Sequence, residues 1–357
     1  MPLSATSISL AEILDEMTAE GAAELTEHLA DNALHCFACG HRCLIKEGKR
    51  GICKVRFNQD GHLRVPVNYV AALQCDPTEK KPFFHVLPGS DTLTFGMLGC
   101  DLHCAYCQNW LTSQALRDDA AVSPPNVVSS ERLVAMARAY GASMVGSSYN
   151  EPLITAEWAV EVFKQAKPAG FRTAFISNGN ATPQVLDYLR PWTDCYKIDL
   201  KSMSDRNYRQ LGGVVDNILD TVKMVQERGF WEEIVTLVIP GFNDSEDELK
   251  RAAEFIASVS QDIPWHVTAF HQDYRMKKNA NTTAEQLIRA CEIGRAAGLR
   301  YVYAGNLPGR VGRWENTYCP SCDELLVERY GYLIQKMKVT PAGTCPSCSD
   351  TIPGIWS

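Results

Sequence analysis

The chain has 357 residues, 45% hydrophobic and 22% charged, enough to bury one large core of about 200–250 residues with small appendages. Its 35 Lys and Arg against 42 Asp and Glu leave a net charge of -7, which argues against a long phosphate-binding groove as its main surface. No apolar run nears the roughly 18 residues of a membrane span. The first Lys or Arg is Arg42, so neither a secretory signal nor a transit peptide is expected, and the expected location is the cytoplasm.

Residues 1–33 read as an acidic helical extension. Seven Asp or Glu precede the first cysteine, Ser9 and Glu12 have capping-box spacing, and Leu10, Ile13, Leu14 and Met17 recur at helical intervals. Residues 34–90 read as a small metal-stapled module and linker: a Gly-rich thiol cluster, then a period-two stretch through Leu63, Val65, Val67, Tyr69 and Ala71, then a polar, proline-bounded segment from Asp76 to Pro88.

From residue 91 to 312 short apolar runs alternate with amphipathic stretches. The runs are Thr92–Leu98, Ser143–Tyr149, Arg172–Ser177, Asp194–Leu200, Ile234–Pro240, Trp265–Phe270 and Arg300–Ala304. Helical stretches are expected over Ser130–Tyr140, Ala156–Lys167, Asn217–Arg228, Ser245–Ser258 and Ala284–Ala297. This alternation predicts an α/β fold with right-handed crossovers and a parallel sheet. Polar residues gather where the strands end, among them Asn150, Glu151, Asn178, Asp199, Lys201, Asn243, His271 and Asn306. A barrel would bring these to one rim, so a partial barrel is the expected architecture. Residues 313–357 form a C-terminal cysteine module.

The 14 cysteines fall into blocks of four (Cys36, Cys39, Cys43, Cys53), three (Cys100, Cys104, Cys107) and four (Cys319, Cys322, Cys345, Cys348), with Cys75, Cys195 and Cys291 isolated. Thiols this close in sequence do not easily form disulfides with each other, so metal ligation is the better reading. Two Cys-Pro-Ser-Cys knuckles 22 residues apart make a four-thiolate tetrahedron, a zinc ribbon by spacing. Zinc is expected in one or both four-cysteine modules, with rubredoxin-type iron or an auxiliary cluster as the alternatives. Asp323 and Ser349 stand where such knuckles usually have Gly.

At the end of the first predicted strand the chain reads Gly99-Cys100-Asp101-Leu102-His103-Cys104-Ala105-Tyr106-Cys107-Gln108-Asn109. Three thiolates on one loop can hold three irons of a cubane and leave the fourth iron open. The alternative is a zinc site completed by His103. This CxxxCxxC loop resembles that of the radical S-adenosylmethionine (SAM) enzymes, with Tyr106 at the family's aromatic position. The resemblance implies a 4Fe-4S cluster whose open iron is chelated by SAM, and reductive cleavage of SAM to methionine and a deoxyadenosyl radical. It also implies an external one-electron donor such as a flavodoxin or ferredoxin.

Other segments are similar to the glycyl-radical-enzyme activases, such as that of pyruvate formate-lyase. Tyr149-Asn150-Glu151-Pro152 sits where the family has its Gly-Gly-Glu segment, which implies that Asn150 and Glu151 hold the SAM ammonium; a helix-initiating turn is the other reading. Asp199-Leu200-Lys201 and Pro264-Trp265-His266 resemble segments that approach the SAM carboxylate or ribose. Val238-Ile239-Pro240-Gly241 matches the strand that packs on adenine. Asn178 stands in the Thr-Asn-Gly segment, but Ile176 departs from an acidic position just upstream, which weakens a literal activase assignment.

The N-terminal cysteines, Asp76-Pro77-Thr78-Glu79-Lys80-Lys81-Pro82 and Cys107-Gln108-Asn109-Trp110 narrow the likeness to the radical SAM member of the AmmeMemoRadiSam system. That implies Memo-type and AMMECR-type partner proteins. The substrate, a small molecule or a peptide, is not implied. Glu79, Lys80 and Lys81 read equally as a solvated charge run or as a substrate-facing group. A reading of another class, a metal-ribbon interaction or RNA-binding module on a non-catalytic barrel, is opposed by the acidic balance.

Overall fold

The computed structural model describes residues 9–357; the first eight residues of the acidic extension lie outside it. Ser9 and Glu12 form the expected capping box on a helix at Leu10–Asp15. Beyond it the segment is extended rather than helical. Thr18–Glu20 pairs with His62–Pro66, and Thr26–His28 with Leu34–Cys36, so the acidic segment forms strands of the cysteine-rich module.

The main sheet has eight strands in chain order: β1 (Ala72–Pro77), β2 (Asp91–Gly96), β3 (Met144–Ser147), β4 (Arg172–Ser177), β5 (Cys195–Asp199), β6 (Trp231–Val238), β7 (Trp265–Ala269) and β8 (Val302–Gly305). β2 to β8 run parallel, and β1 is antiparallel at one edge. β1 and β8 do not pair, so the sheet stays open and no closed barrel forms. The crossovers carry α1 (Ser130–Ala139), α2 (Ala156–Ala166), α3 (Pro183–Leu189), α4 (Asp205–Leu211), α5 (Val215–Glu227), α6 (Glu246–Val259) and α7 (Ala284–Ala296). Their starts follow local chemistry. Ser129, Thr182, Ser204 and Ser245 each accept a backbone N–H three residues on, and Thr283 with Gln286 forms a capping box.

One face of the sheet packs on the helices, burying Leu133, Trp158, Phe163, Leu186, Ile218, Ile256 and Leu287, each worth about 1.5–3 kcal/mol. In a closed barrel the other face would be filled by its own strands. Here two imported segments fill it. Phe83 and Val86, on a strap between β1 and β2, pack on Met144, Ala174, Ile176 and Cys195. Tyr301 and Tyr303 at β8 pack with Phe84 and with Leu326, Val327, Cys319 and Cys345 of the C-terminal module.

That module is a three-stranded antiparallel sheet, Thr317–Tyr318, Leu325–Tyr330 and Leu333–Met337, with the knuckles at its end. Asp323 and Ser349 adopt φ of 56° and 63°, the left-handed conformation that Gly would take more cheaply. Each donates its backbone N–H to the knuckle's first cysteine, Cys319 O at 3.0 Å and Cys345 O at 2.9 Å.

Candidate cluster and cofactor pocket

The parallel strands end on one side of the sheet, at a cavity of about 400 Å³. The loop after β2 supplies Cys100, Cys104, Tyr106 and Cys107 to its wall, and later strand ends supply Asn150, Glu151, Asn178, Asp199, Lys201 and His266. Ile239 does not line it. Its side chain is buried with Leu102, Tyr106 and Phe270 under the cysteine loop. All the other residues expected to contact the cofactor share one chamber.

The loop is held by backbone and charge. Gly99 has φ +94°, and a Cβ there would stand 2.9 Å from Val55 Cγ1, so both conformation and space require Gly. Arg117 donates to the carbonyls of Cys100 (2.7 Å) and Leu102 (3.2 Å). Leu102 N–H reaches Cys100 Sγ at 3.3 Å, and Ser113 Oγ lies 3.2 Å from Cys107 Sγ. Burial pushes the Cys104 thiol up to about 12, with the Lys201 charge opposing. Such a thiol stays neutral unless a metal replaces its proton.

Asp101, fully buried, accepts from Asn178 Nδ2 (2.7 Å) and Asn180 Nδ2 (2.8 Å), which ties the cysteine loop to the end of β4. Glu151 accepts from Ser177 Oγ (2.7 Å) and Leu153 N (3.1 Å) on one oxygen and from Asn178 N (2.7 Å) on the other. It therefore caps the turn at Pro152–Thr155 while lining the cavity. Burial, reinforced by the Asp101 charge, raises its pKa. Asn150 is engaged as well, accepting from Met97 N at 3.0 Å. Asp199 pairs with Lys197 and, at 3.4 Å, with Lys201.

His266 Nε2 lies 2.6 Å from Glu233 Oε2, so that nitrogen is turned away from any ligand. Burial raises the Glu233 pKa, but the hydrogen bond and charge of His266 outweigh it and the net shift is downward. Glu233 also accepts the backbone N–H groups of Phe84 and His85, fixing the strap.

Glu79, Lys80 and Lys81 line the cavity too. Glu79 is fully buried and Lys81 is 7% exposed, so only Lys80 behaves as a solvated charge. Lys81 donates to Asp76 Oδ2 (2.9 Å) and Tyr149 Oη (3.0 Å). Asp101, Glu233 and Tyr332 were not signalled by the sequence. Tyr332 arrives from the C-terminal module and donates to Asn306 Oδ1 at 3.2 Å.

Three thiols at one wall, Cys100 and Cys107 in hydrogen bonds with Leu102 N and Ser113 Oγ and Cys104 faced by Lys201, are a fitting donor set for an iron–sulfur cluster. The sequence profile of the Radical SAM superfamily matches residues 95–256, the stretch that carries this loop. An uncharacterized protein of Methanocaldococcus jannaschii is 35% identical over 85% of this chain and 90% of its own length. The chain belongs to the radical SAM superfamily. Superfamily membership makes it an enzyme and implies a 4Fe-4S cluster and SAM. It is also homologous to pyruvate formate-lyase 1-activating enzyme of Escherichia coli, 28% identical over 52% of this chain and 78% of that one. A crystal structure of a domain of pyruvate-formate lyase-activating enzyme from Bacteroides vulgatus aligns with 46% of this radical SAM chain and 100% of its own, at 23% identity and TM-score 0.42.

The C-terminal four cysteines form a separate centre. Their sulfurs all lie within 4.8 Å of one another, with Cys319–Cys348 at 3.5 Å and Cys322–Cys345 at 3.7 Å. Among the described residues no helix is long and apolar enough to cross a membrane.

Proposed function

We propose that Cys100, Cys104 and Cys107 hold the 4Fe-4S cluster and that SAM occupies the adjoining cavity of a cytoplasmic enzyme of the AmmeMemoRadiSam type. When bound and given one electron by a flavodoxin- or ferredoxin-like donor, the cluster would supply reductive cleavage of SAM to methionine and a deoxyadenosyl radical, and with it hydrogen abstraction from a small molecule or peptide. The observation carrying this reading is that the three thiols share one 400 Å³ chamber with Glu151, Asn178, Asp199, Lys201 and His266.

The chain's own residues have distinct parts. A carboxylate offers about four lone-pair positions, and Glu151 uses three, which leaves one for the SAM ammonium. Lys201 offsets thiolate charge at Cys104. Glu233 and the strap it fixes exclude water beneath the reacting groups, which protects a radical from side reactions. Lys80, Asn306 and Tyr332 provide the rim where substrate enters. Homology to activases supports a second reading, a glycyl radical installed on a partner protein presented at this rim. Memo-type and AMMECR-type proteins are the partners to try first. The C-terminal four cysteines hold zinc: thiolate bonds of about 2.3 Å give a tetrahedron edge of about 3.8 Å, close to the sulfur spacings found there.

Anaerobic reconstitution with SAM and dithionite is expected to yield deoxyadenosine, and Cys104→Ala to abolish it. Persistent turnover in that variant would refute the assignment.

A further inference from the structure

The three cysteine sets differ in how far apart their sulfurs stand. Among the described residues the C-terminal four are the one set of three or more Cys, His, Asp or Glu side chains whose donor atoms all lie within 4.8 Å. No three of Cys36, Cys39, Cys43 and Cys53 meet that limit, and neither do Cys100, Cys104 and Cys107. Thiolates on one ion must crowd together, whereas in a cubane each binds a different iron and the sulfurs stand apart. The N-terminal four share the wider spacing of the loop read above as a cluster site.

They nonetheless converge. Cys36 N donates to Cys43 O at 3.0 Å, Cys36 and Cys43 pack in one apolar cluster, and Cys36, Cys39 and Cys53 are all buried. Ile52 N donates to Cys43 Sγ at 3.5 Å. Arg56 gives a second, independent sign of a ligand. It is 1% exposed, its two terminal nitrogens bind Glu157 at 2.6 and 2.7 Å, and its Nε has no partner. Its backbone carbonyl accepts from Gly51 N at 2.9 Å, which places Arg56 against the turn that carries Cys53. A stranded buried donor costs about 1–3 kcal/mol, and the sulfur atoms of an anionic cluster at these cysteines would relieve it.

This module lies directly behind the cavity loop. Cys53 O is 3.4 Å from the position a Cβ on Gly99 would take, and Gly99 precedes Cys100. Arg117 bridges the two, donating to Ile52 O at 2.8 Å as well as to Cys100 O. His41 Nε2 lies 3.1 Å from Asp101 O.

We propose that Cys36, Cys39, Cys43 and Cys53 bind a second 4Fe-4S cluster that relays electrons to the cluster at Cys100, Cys104 and Cys107, an inference that rests on the reading of that loop. Four thiolates fill every iron, so this centre has no place for SAM and can only exchange electrons. A low-potential carrier protein gives one electron and takes it from the 2+ to the 1+ state. Transfer onward restores 2+ there and reduces the loop cluster by one, with no bond or proton changed.

The test is metal and sulfide analysis with paramagnetic resonance on anaerobically reconstituted full-length chain. Wild type is expected to hold about eight iron, eight sulfide and one zinc. Cys100→Ala/Cys104→Ala/Cys107→Ala should keep about four iron and a reduced-cluster signal insensitive to SAM. Should that variant fold poorly, Cys36→Ala/Cys53→Ala gives the complementary result, about four iron with a SAM-sensitive signal. With reduced flavodoxin as donor, the latter should form deoxyadenosine at least about tenfold more slowly. A wild type with about four iron and two zinc overturns the proposal, and an unchanged rate overturns the relay. Iron content untouched by removing the loop cysteines overturns the reading of the loop instead.

Discussion

Glu233→Gln tests whether one buried carboxylate holds the strap beneath the cavity. Its Oε1 accepts from His85 N (2.9 Å) and Trp231 Nε1 (3.0 Å), and its Oε2 lies 3.0 Å from Phe84 N and 2.6 Å from His266 Nε2. A glutamine keeps one acceptor oxygen. The amide can turn its NH2 group toward Phe84 N and His266 Nε2, where a neutral His266 changes tautomer and accepts. Phe84 N–H is then the one stranded donor, at about 1–3 kcal/mol, so the expected loss is about 2 kcal/mol. Equilibrium urea unfolding of wild type and variant measures it as a lower midpoint at unchanged slope. A loss below about 1 kcal/mol would show that the strap is held by apolar packing alone.

Three further outcomes follow from other parts of the structure. His85 is fully buried, and burial depresses its pKa to about 4, with the Glu233 charge opposing. The unfolded chain therefore binds more protons between about pH 4 and 6.5, so stability is complete above that window. As pH falls through the window up to about 3 kcal/mol should be lost, a slope that unfolding at several pH values will show missing in His85→Phe. Gly40→Ala would place a Cβ 2.2 Å from Asn180 Oδ1 and 2.8 Å from Asn217 Nδ2. It should destabilise by about 1–3 kcal/mol and disturb the Asn180–Asp101 bond, read as a lower melting temperature and a shifted cluster signal. Cys345→Ser should release about one metal per chain and lower the melting temperature, because Cys345 packs with Tyr301, Tyr303 and Phe84 under β8. Full metal retention would count against the C-terminal centre.

The parallel strands were legible because a strand buried on both faces is a continuous apolar run. Arg172–Ser177 matches its expected bounds, and Trp231–Val238 starts only three residues before them. β1 falls between the period-two stretch that ends at Ala71 and the linker expected from Asp76, because Gln74, Asp76 and Pro77 give an edge strand no apolar period. α3 and α4 have seven residues each, too short for a helical period to stand out. Cysteine spacing marked three sets of candidate ligands but not how far apart their sulfurs stand, since sulfur separation depends on the turns between them. The cavity's second half was illegible for a different reason. Arg329 donates to Phe84 O across 245 residues, and Tyr332 reaches Asn306 from a hairpin outside the α/β repeat. No local pattern encodes such meetings.

The segment around Ile355 is structurally an inner part. Val86 bridges to Ile355, and His85 Nδ1 lies 2.6 Å from Pro353 O, so the strap is braced from outside by a segment 268 positions away in sequence. Loosening that brace would loosen the floor of the chamber with it.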